Sequence, residues 1–267
     1  MRDVSSRRGF LKLLAGLPLV GASGRRGVAE AASRLGRLIE EAQDHPSIAQ
    51  RIEQISRALL GTKYVAHTLI GGPKRPEVFV VRDDAFDCVT YCEVVLAAAL
   101  ARDLAGFAPA LRKIRYHQGE VNWRERNHYF ADWCERNVAN KLCRPVAIDG
   151  MVKISKASNS EPVLGKREWT LEVIPQAVLL SNSRLLEPGD IVGFVSRRAN
   201  LDYSHTGFVA FSKDRSELLL RHASITRRRV IDEKMEHFIA TNGVRYVTVL
   251  RPRERPAPQN SSTNIPT

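Results

Sequence analysis

Residues 84–101 read DAFDCVTYCEVVLAAALA. The second half of this stretch consists of strong helix formers and contains no Gly or Pro, which predicts a long and mostly apolar helix. The acidic residues Asp83, Asp84 and Asp87 lie where a helix N-terminus prefers negative charge and a capping carboxylate. We therefore expect Cys88 in the first turn of this helix.

Taken alone, Cys88 fits two interpretations. A thiol in the first turn meets the positive end of the helix dipole and unpaired N–H groups, which lower its pKa and favour the thiolate. The same N–H groups can stabilise an oxyanion on an attacked carbonyl. The alternative is a structural cysteine, because free Cys is among the most buried residue types. The rest of the chain has to decide between them.

The N-terminal segment predicts export. Ser6-Arg7-Arg8-Gly9-Phe10-Leu11-Lys12 matches the twin-arginine motif, a modest apolar region follows, and Ala29-Glu30-Ala31 has the shape of a signal-peptidase site. A basic amphipathic helix at a membrane surface is the alternative, and the apolar region is too short for a stable membrane span. We interpret residues 1–31 as a signal peptide read by the twin-arginine export machinery, which predicts a periplasmic or secreted protein.

Composition and charge indicate a globular protein and limit the kinds of partner that it is expected to bind. With 267 residues, 43% of them hydrophobic, the chain can bury a sizeable core. The formal charge is +12, and removal of the predicted signal peptide, which has six basic and two acidic residues, leaves +8. Basic proteins favour nucleic acids, anionic membranes or acidic polymers. An exported protein rarely meets nucleic acid but does meet the carboxylate-rich cell wall, so we expect no nucleic-acid partner.

The four cysteines do not require a disulfide. Cys88 and Cys92 are one helical turn apart, where a strain-free bridge is difficult. The twin-arginine route exports folded proteins, so folding in the reducing cytosol cannot depend on a bridge. We expect Cys88 to be free, and a link between Cys134 and Cys143 stays open.

The pattern of the mature chain predicts an α+β domain. Apolar residues at helical spacing predict helix over residues 33–60 with a break at His45-Pro46, and a short strand is expected at Glu77–Val81. The pattern of residues 144–180 predicts strands and turns. After Leu186 it predicts several strands at the spacing of hairpins, which favours an antiparallel sheet. We expect a linker or helix at 32–44, one domain at 45–252 and a disordered tail at 253–267.

Two histidines are candidates to serve a cysteine nucleophile. Such a thiol needs a base that takes its proton and later protonates a leaving amine, and a third polar group must orient that base. His205 opens a predicted strand and His222 ends the next one, so a hairpin would bring the two together. Pattern alone supports this only weakly, because most single histidines at strand ends are ordinary surface or core residues.

Several motifs together resemble a known family. The ordered set is similar to the NlpC-type, papain-like cysteine hydrolases, and more closely to their N-acetylmuramoyl-L-alanine amidase-like branch. The resemblance spans about residues 50–251. The motifs that carry it are Phe86-Asp87-Cys88-Val89-Thr90 with Glu93, Ile114-Arg115-Tyr116, Arg126-Asn127-His128-Tyr129-Phe130 with Trp133, Pro188-Gly189-Asp190-Ile191-Val192, Leu201-Asp202, Ser204-His205-Thr206-Gly207-Phe208 and His222-Ala223-Ser224.

The resemblance implies a papain-like fold in which the nucleophile begins a helix packed on an antiparallel sheet. It implies Cys88 as nucleophile, His205 as general base and acid, and His222 as the group that orients His205. Tyr64 and Asp87 are candidate residues of the substrate or oxyanion site, Tyr64 through its resemblance to a tyrosine that helps to shape the oxyanion site in related enzymes. The segment from Leu100 to Leu185 is longer than in compact relatives, and we expect it to form substrate walls.

Other segments have open interpretations. Residues 122–133 could line a cleft that stacks on sugars, with Arg126 and His128 as candidate substrate contacts, or they could form an amphipathic helix that buries its aromatic rings. Arg227-Arg228-Arg229 could bind a carboxylate or remain solvated. The spacing of Cys and His disfavours a metal site, and without a Gly-rich phosphate loop we expect no cofactor.

Together these features predict an exported, metal-independent cysteine amide hydrolase that acts on peptidoglycan or muropeptides. One alternative is an acyltransferase or hydrolase for an amide or ester outside the wall, because the same fold hosts such chemistry. A second alternative is a non-catalytic cell-wall binding protein that uses basic charge and aromatic rings.

Overall fold

The structure, a computed structural model, describes residues 34–158 and 162–255. The predicted signal peptide and most of the predicted tail lie outside the described residues. The helices are α1 (34–42), α2 (Ile48–Ala58), α3 (Cys88–Leu100), α4 (Leu104–Arg115), α5 (Phe130–Ala139), α6 (Gln176–Ser181) and α7 (Met235–Asn242). The strands are β1 (Lys63–Tyr64), β2 (Ile70–Gly72), β3 (Arg75–Val78), β4 (Ala85–Phe86), β5 (Cys143–Pro145), β6 (Val152–Ser158), β7 (Arg167–Pro175), β8 (Ile191–Val195), β9 (Tyr203–Phe211), β10 (Leu218–Ser224), β11 (Arg229–Lys234) and β12 (Tyr246–Pro252).

The first two helices match the prediction, including the break at His45-Pro46. Ser47 caps α2 in a capping box with Gln50, so two orphan donors of the first turn are satisfied. Ile52 and Ile55 are fully buried on one face of α2. Leu35 and Ile39 of α1 enter the same core, so residues 34–42 form part of the packed domain rather than a linker.

Helix α3 is the central helix of the molecule. Asp87 caps it, because its carboxylate accepts a hydrogen bond from the Thr90 backbone N–H at 2.8 Å. From Thr90 to Ala99 every residue of α3 is buried. The helix packs against α2 and α4 on one side and against β9 and β10 on the other. Its apolar composition is therefore explained by burial on all sides.

The sheet confirms the α+β class. Within the described residues, ten strands form one sheet in the order β4-β1-β11-β10-β9-β8-β12-β7-β6, with β5 beside β12. All of its pairs are antiparallel except β1 with β4. One core lies between this sheet and α1–α5, and a second cluster lies around α6 and α7.

The segments on either side of α3 differ most from the prediction. The strand expected at Glu77–Val81 is Arg75–Val78 instead, and it pairs with Ile70–Gly72. Residues 144–180 do contain strands, but their last residues begin helix α6. The long β6–β7 hairpin joins the edge of the main sheet through β12. The insertion therefore extends the sheet.

The chain after β12 stays attached to the domain up to residue 255. The Arg253 N–H donates to the Leu142 carbonyl at 2.8 Å. Glu254 accepts from Arg51 at 2.6 Å and from the first N–H of α2, and Arg255 binds the side chain of Gln43 at 2.7 Å. These first three residues of the expected disordered tail therefore belong to the packed structure. In the described ranges, no helix is both long and apolar enough to cross a membrane.

Candidate active site

Cys88 is the first residue of α3 and is partly exposed. The β9–β10 ladder ends at the pair Phe208–Arg221, although both strands continue. Beyond that pair, the backbone N–H of Thr206 reaches the sulfur of Cys88, as do the N–H groups of Val89 and of Cys88 itself. The thiol therefore lies just beyond the last pair of the β9–β10 ladder, next to Thr206, the residue that follows His205.

The expected low pKa of this thiol is wrong for the free protein. Burial raises the pKa of Cys88 to about 12, and the neighbouring charge of Asp87 acts in the same direction. The three backbone N–H groups oppose this shift, as a helix N-terminus should, but desolvation is the larger effect. Cys88 is therefore a neutral thiol at neutral pH.

His205 and His222 are in direct contact. Nε2 of His205 lies 2.6 Å from Nδ1 of His222, and the two rings are perpendicular with centroids 4.7 Å apart. Extending the β9–β10 register by one residue places Gly207 opposite His222, so His205 is the diagonal neighbour of His222 on the same face. The hairpin geometry expected from the sequence is thus present.

Aromatic rings enclose the two histidines. The ring of Phe238 on α7 lies 5.2 Å from that of His205 and 5.4 Å from that of His222, and Phe194 on β8 lies 6.2 Å from His205. Burial lowers the pKa of His205 to about 3, and the charge of His222 adds to the shift. His205 is therefore a neutral imidazole at neutral pH, with Nδ1 as its second nitrogen.

Glu233 on β11 contacts the other side of His222. Its Oε1 lies 2.7 Å from His222 Nε2, off the N–H direction of the ring, so the contact is electrostatic rather than a directed hydrogen bond. Burial lowers the pKa of His222, and Glu233 opposes that shift. Sequence reasoning misses Glu233, although a carboxylate on the strand that follows His222 is the signal that could have found it.

Tyr64 and Asp87 lie close to Cys88. Tyr64 pairs with Phe86 in the parallel β1–β4 ladder, one strand away from the start of α3. Burial raises the pKa of Tyr64, and negative charge on Cys88 or Asp87 acts in the same direction. The carboxylate of Asp87 is occupied in capping α3, where it also contacts the Thr90 hydroxyl at 2.9 Å.

Arg126 and His128, the candidate substrate contacts, each bind a partner within the protein. Arg126 binds Glu77 at 3.2 Å, and His128 Nε2 lies 2.6 Å from the Trp123 carbonyl oxygen. Glu77 also accepts from the Tyr116 hydroxyl at 2.9 Å, so this segment is tied to the β2–β3 hairpin. The expected burial of aromatic rings is present, because Tyr129, Phe130 and Trp133 are all buried.

Two buried ion pairs hold the elements around the thiol. Arg115 on α4 donates to Glu93 on α3 at 2.7 Å, and both side chains are almost fully buried. Arg221, which precedes His222, donates to both oxygens of Asp232 at 2.7 Å. It also reaches Glu53 on α2 at 2.9 Å, so the strand that carries His222 is tied to the neighbouring helix.

A cleft of about 410 Å³ lies between the β2–β3 hairpin and residues 121–124. Lys74, Arg75 and Arg124 line it together with Trp123. Among the described residues, no group of three or more His, Cys, Asp or Glu side chains is arranged to hold a metal ion.

Similarity to known proteins agrees with this geometry. The sequence model of a family described as N-acetylmuramoyl-L-alanine amidase-like matches residues 54–244. No curated protein matches the chain.

Solved structures share the fold. A crystal structure of an N-acetylmuramoyl-L-alanine amidase from Bacteroides uniformis ATCC 8492 is 25% identical with a TM-score of 0.65, covering 83% of this chain and 100% of that one. Another structure of that name and organism is 27% identical with a TM-score of 0.67, covering 76% and 99%. A Legionella pneumophila protein of the family DUF1460 has a TM-score of 0.76 at 23% identity, covering 87% and 98%, which shows the fold alone. Because the family match covers most of the sequence, including Cys88, His205 and His222, the chain belongs to the N-acetylmuramoyl-L-alanine amidase-like family.

Proposed function

We propose that the protein is an exported cysteine amide hydrolase of papain-like, NlpC-type fold that acts on peptidoglycan or on muropeptides. The family match and the amidases among the similar structures support an amide bond of peptidoglycan type as the target. The twin-arginine motif at Arg7-Arg8 supports export to the periplasm or beyond.

One observation carries the catalytic part of the proposal. Cys88 begins α3 next to the backbone N–H of Thr206. His205 is the residue before Thr206, and its Nε2 lies 2.6 Å from Nδ1 of His222. A thiol, an imidazole and a second polar group in this order form the arrangement that nucleophilic catalysis requires. Nδ1 of His205 is the nitrogen that remains for the thiol.

In the proposed mechanism, Cys88 attacks the amide carbonyl while its proton passes to Nδ1 of His205. The C–S bond forms, and the carbonyl oxygen takes the electron pair of the C=O π bond. Collapse of this intermediate breaks the C–N bond, and His205 protonates the departing amine. Water then attacks the thioester carbon and gives one proton to His205, the C–S bond breaks with its electron pair going to the sulfur, and the carboxylic acid leaves as His205 returns the proton to the sulfur.

Burial raises the pKa of Cys88 to about 12 and lowers that of His205 to about 3, which favours a neutral thiol and a neutral imidazole before substrate binds. Proton transfer is therefore coupled to the attack on the carbonyl. The N–H groups around the sulfur are donors that can stabilise negative charge as it develops.

Basic surface charge suits the proposed substrate. Stem peptides of peptidoglycan carry carboxylates, and the cleft between the β2–β3 hairpin and residues 121–124 presents Lys74, Arg75 and Arg124. The segment between α3 and β8 would then form substrate walls, as expected from its length.

The test is digestion of purified muropeptides by the wild type and by Cys88→Ala, with the products weighed by mass spectrometry. Cys143→Ala, which removes another buried thiol, is the matched control. We expect new fragments from the wild type and the control, none from Cys88→Ala, and masses that identify the bond. Cleavage by Cys88→Ala would exclude the thiol mechanism. No cleavage by folded, reduced wild type would instead favour a non-wall amide or ester, or a binding protein.

A further inference from the structure

We propose that Glu233 is a positioning residue of the candidate active site: its carboxylate sets the direction of a proton chain that runs through His222 to His205, so that Nδ1 of His205 keeps the lone pair of a base. The inference rests on the proposed function for its catalytic consequence, but the chain itself is a property of the free protein.

The sheet register places the three groups in one line. His222 on β10 pairs with Ile231 on β11, so Glu233 is its diagonal neighbour on the same face. On the other side of β10, His205 on β9 is also a diagonal neighbour of His222. It is displaced from His222 in the opposite direction along β10 to Glu233. The line crosses three adjacent strands, with 2.6 Å between the two imidazoles and 2.7 Å between imidazole and carboxylate.

The carboxylate decides which nitrogen carries each proton. An ionised Glu233 holds its negative charge 2.7 Å from Nε2 of His222, so electrostatic attraction favours a proton on that nitrogen. His222 Nδ1 is then an acceptor, and the proton in the 2.6 Å contact belongs to Nε2 of His205. Nδ1 of His205 is consequently left with its lone pair. That nitrogen is the one that the proposed mechanism needs as a base.

The same carboxylate stabilises the protonated state. When His205 takes the thiol proton, its positive charge is held against His222, which is itself held against Glu233. Glu233 is partly exposed, with a quarter of its side chain accessible, so solvent weakens this interaction without removing it.

Within residues 34–158 and 162–255, Glu233 is the carboxylate in direct contact with His222, and the charge of Asp232 raises the pKa of the same ring. On β11 the nearby carboxylate of Asp232 is engaged by Arg221 through both of its oxygens. From α7 and β8 the pair meets the rings of Phe238 and Phe194, which carry no charge. From α3, the titratable group nearest in the chain of contacts is Cys88, which lies by the backbone N–H of Thr206, and burial raises the pKa of its thiol.

The first test is the tautomeric state of both histidines, measured by nitrogen-15 NMR of the purified protein and of Glu233→Gln without substrate. We expect a protonated Nε2 on both rings in the wild type, and a mixture or reversal in Glu233→Gln. The apparent pKa of the histidine pair should fall in the variant, because Glu233 raises it. Protonated Nδ1 in the wild type, or spectra unchanged by the substitution, would overturn the proposal.

The second test is the pH profile of the amidase. We expect Glu233→Gln to lower kcat by roughly 10- to 100-fold with little change in KM and to move the acid limb of kcat/KM to lower pH. Glu233→Asp should recover part of the loss. Glu217→Gln, which breaks a surface ion pair with Lys234 on the same two strands, is the control. A uniform loss without a shifted limb would indicate a merely structural role and contradict the proposal.

If the proposed function fails, the wild type will cleave no muropeptide, whereas the NMR measurement will still report on the proton chain. The two failures are therefore distinguishable.

Discussion

Gly207 on β9 lies opposite His222 on β10, and this pairing leaves room for the imidazole. A Cβ at Gly207 would lie 2.8 Å from both the Arg221 carbonyl oxygen and the Cβ of His222. The neighbouring atoms belong to backbone and to a buried ring, so they cannot move aside cheaply. The glycine thus allows β9 and β10 to approach where the two histidines meet.

The first prediction concerns Gly207→Ala. We expect the free energy of unfolding to fall by about 1–3 kcal/mol, because the added methyl group forces the two strands apart. Amidase activity should fall further than stability explains, since the 2.6 Å contact between His205 and His222 depends on that spacing. Urea denaturation and kinetics measure the two effects. Gly106→Ala in α4, where a Cβ finds ordinary contacts, is the control. Equal behaviour of both variants would contradict the argument.

The second prediction concerns the protonation state of Cys88. With its pKa raised to about 12, the thiolate fraction grows throughout the range in which the protein is handled. Alkylation of Cys88 by iodoacetamide should therefore accelerate by about tenfold for each pH unit between pH 7 and pH 10. Fragment-ion mass spectrometry distinguishes Cys88 from Cys92. A rate that levels off near neutral pH would reveal a thiolate–imidazolium pair and refute this prediction.

The third prediction concerns the hydroxyl of Tyr64. Tyr64 pairs with Phe86, two residues before Cys88, so we expect its hydroxyl to reach an oxyanion formed on the attacked carbonyl. We expect Tyr64→Phe to lower kcat by roughly 10- to 100-fold, with KM nearly unchanged. Tyr246→Phe on β12 is the control. Steady-state kinetics on muropeptides measure kcat and KM of both variants. An unaltered kcat would mean that Tyr64 contributes only to packing.

The fourth prediction concerns the buried pair of Arg115 and Glu93. Arg115→Met leaves the Glu93 carboxylate buried without its partner, and we expect a loss of about 3–5 kcal/mol in the free energy of unfolding. The double variant Arg115→Met, Glu93→Leu should lose much less, since neither charge is then isolated. Lys153→Met, which removes one partner of an exposed pair with Glu172, should change stability by about 0–1 kcal/mol. Additive losses in the double variant, measured by urea denaturation, would be inconsistent with this account.

The fifth prediction concerns export. Replacing Arg7 and Arg8 together by Lys should retain the protein in the cytoplasm, because the twin-arginine machinery recognises the paired arginines rather than their charge alone. Cell fractionation and immunoblotting measure the distribution. Arg25→Lys with Arg26→Lys conserves charge in the same segment and should leave export intact. Export of the Arg7, Arg8 variant would argue for a different route.

The sequence allowed local features of the site to be predicted. Cys88 begins a helix because Asp87 and Thr90 form a capping box within four residues, and such short-range chemistry is readable from the order of residues. The neighbourhood of His205 and His222 followed from hairpin spacing. The α+β class and the family followed from patterns distributed over the chain.

Long-range features were predicted less well. The low pKa expected for Cys88 was wrong because desolvation depends on everything packed around the sulfur, and that packing exceeds the effect of the helix N-terminus. Glu233 was missed because its distance from His222 depends on the register between β10 and β11. The internal partners of Arg126 and His128, Glu77 and the Trp123 carbonyl, were not predicted because no spacing along the chain reveals them, and the role of the two residues as substrate contacts stays a prediction.

The sequence by itself therefore determined the candidate residues of the proposed chemistry: a thiol at a capped helix start and two histidines on adjacent strands, with a motif that predicts export, each defined by neighbours within a few positions. Only the tertiary structure decided how those residues are charged and oriented. Protonation depends on burial and on partners from distant strands, and the carboxylate of Glu233 reaches His222 only after the sheet has formed. The hydrogen bonds of a helix cap join residues that are close in the sequence, whereas desolvation and strand register depend on the packing of the whole fold.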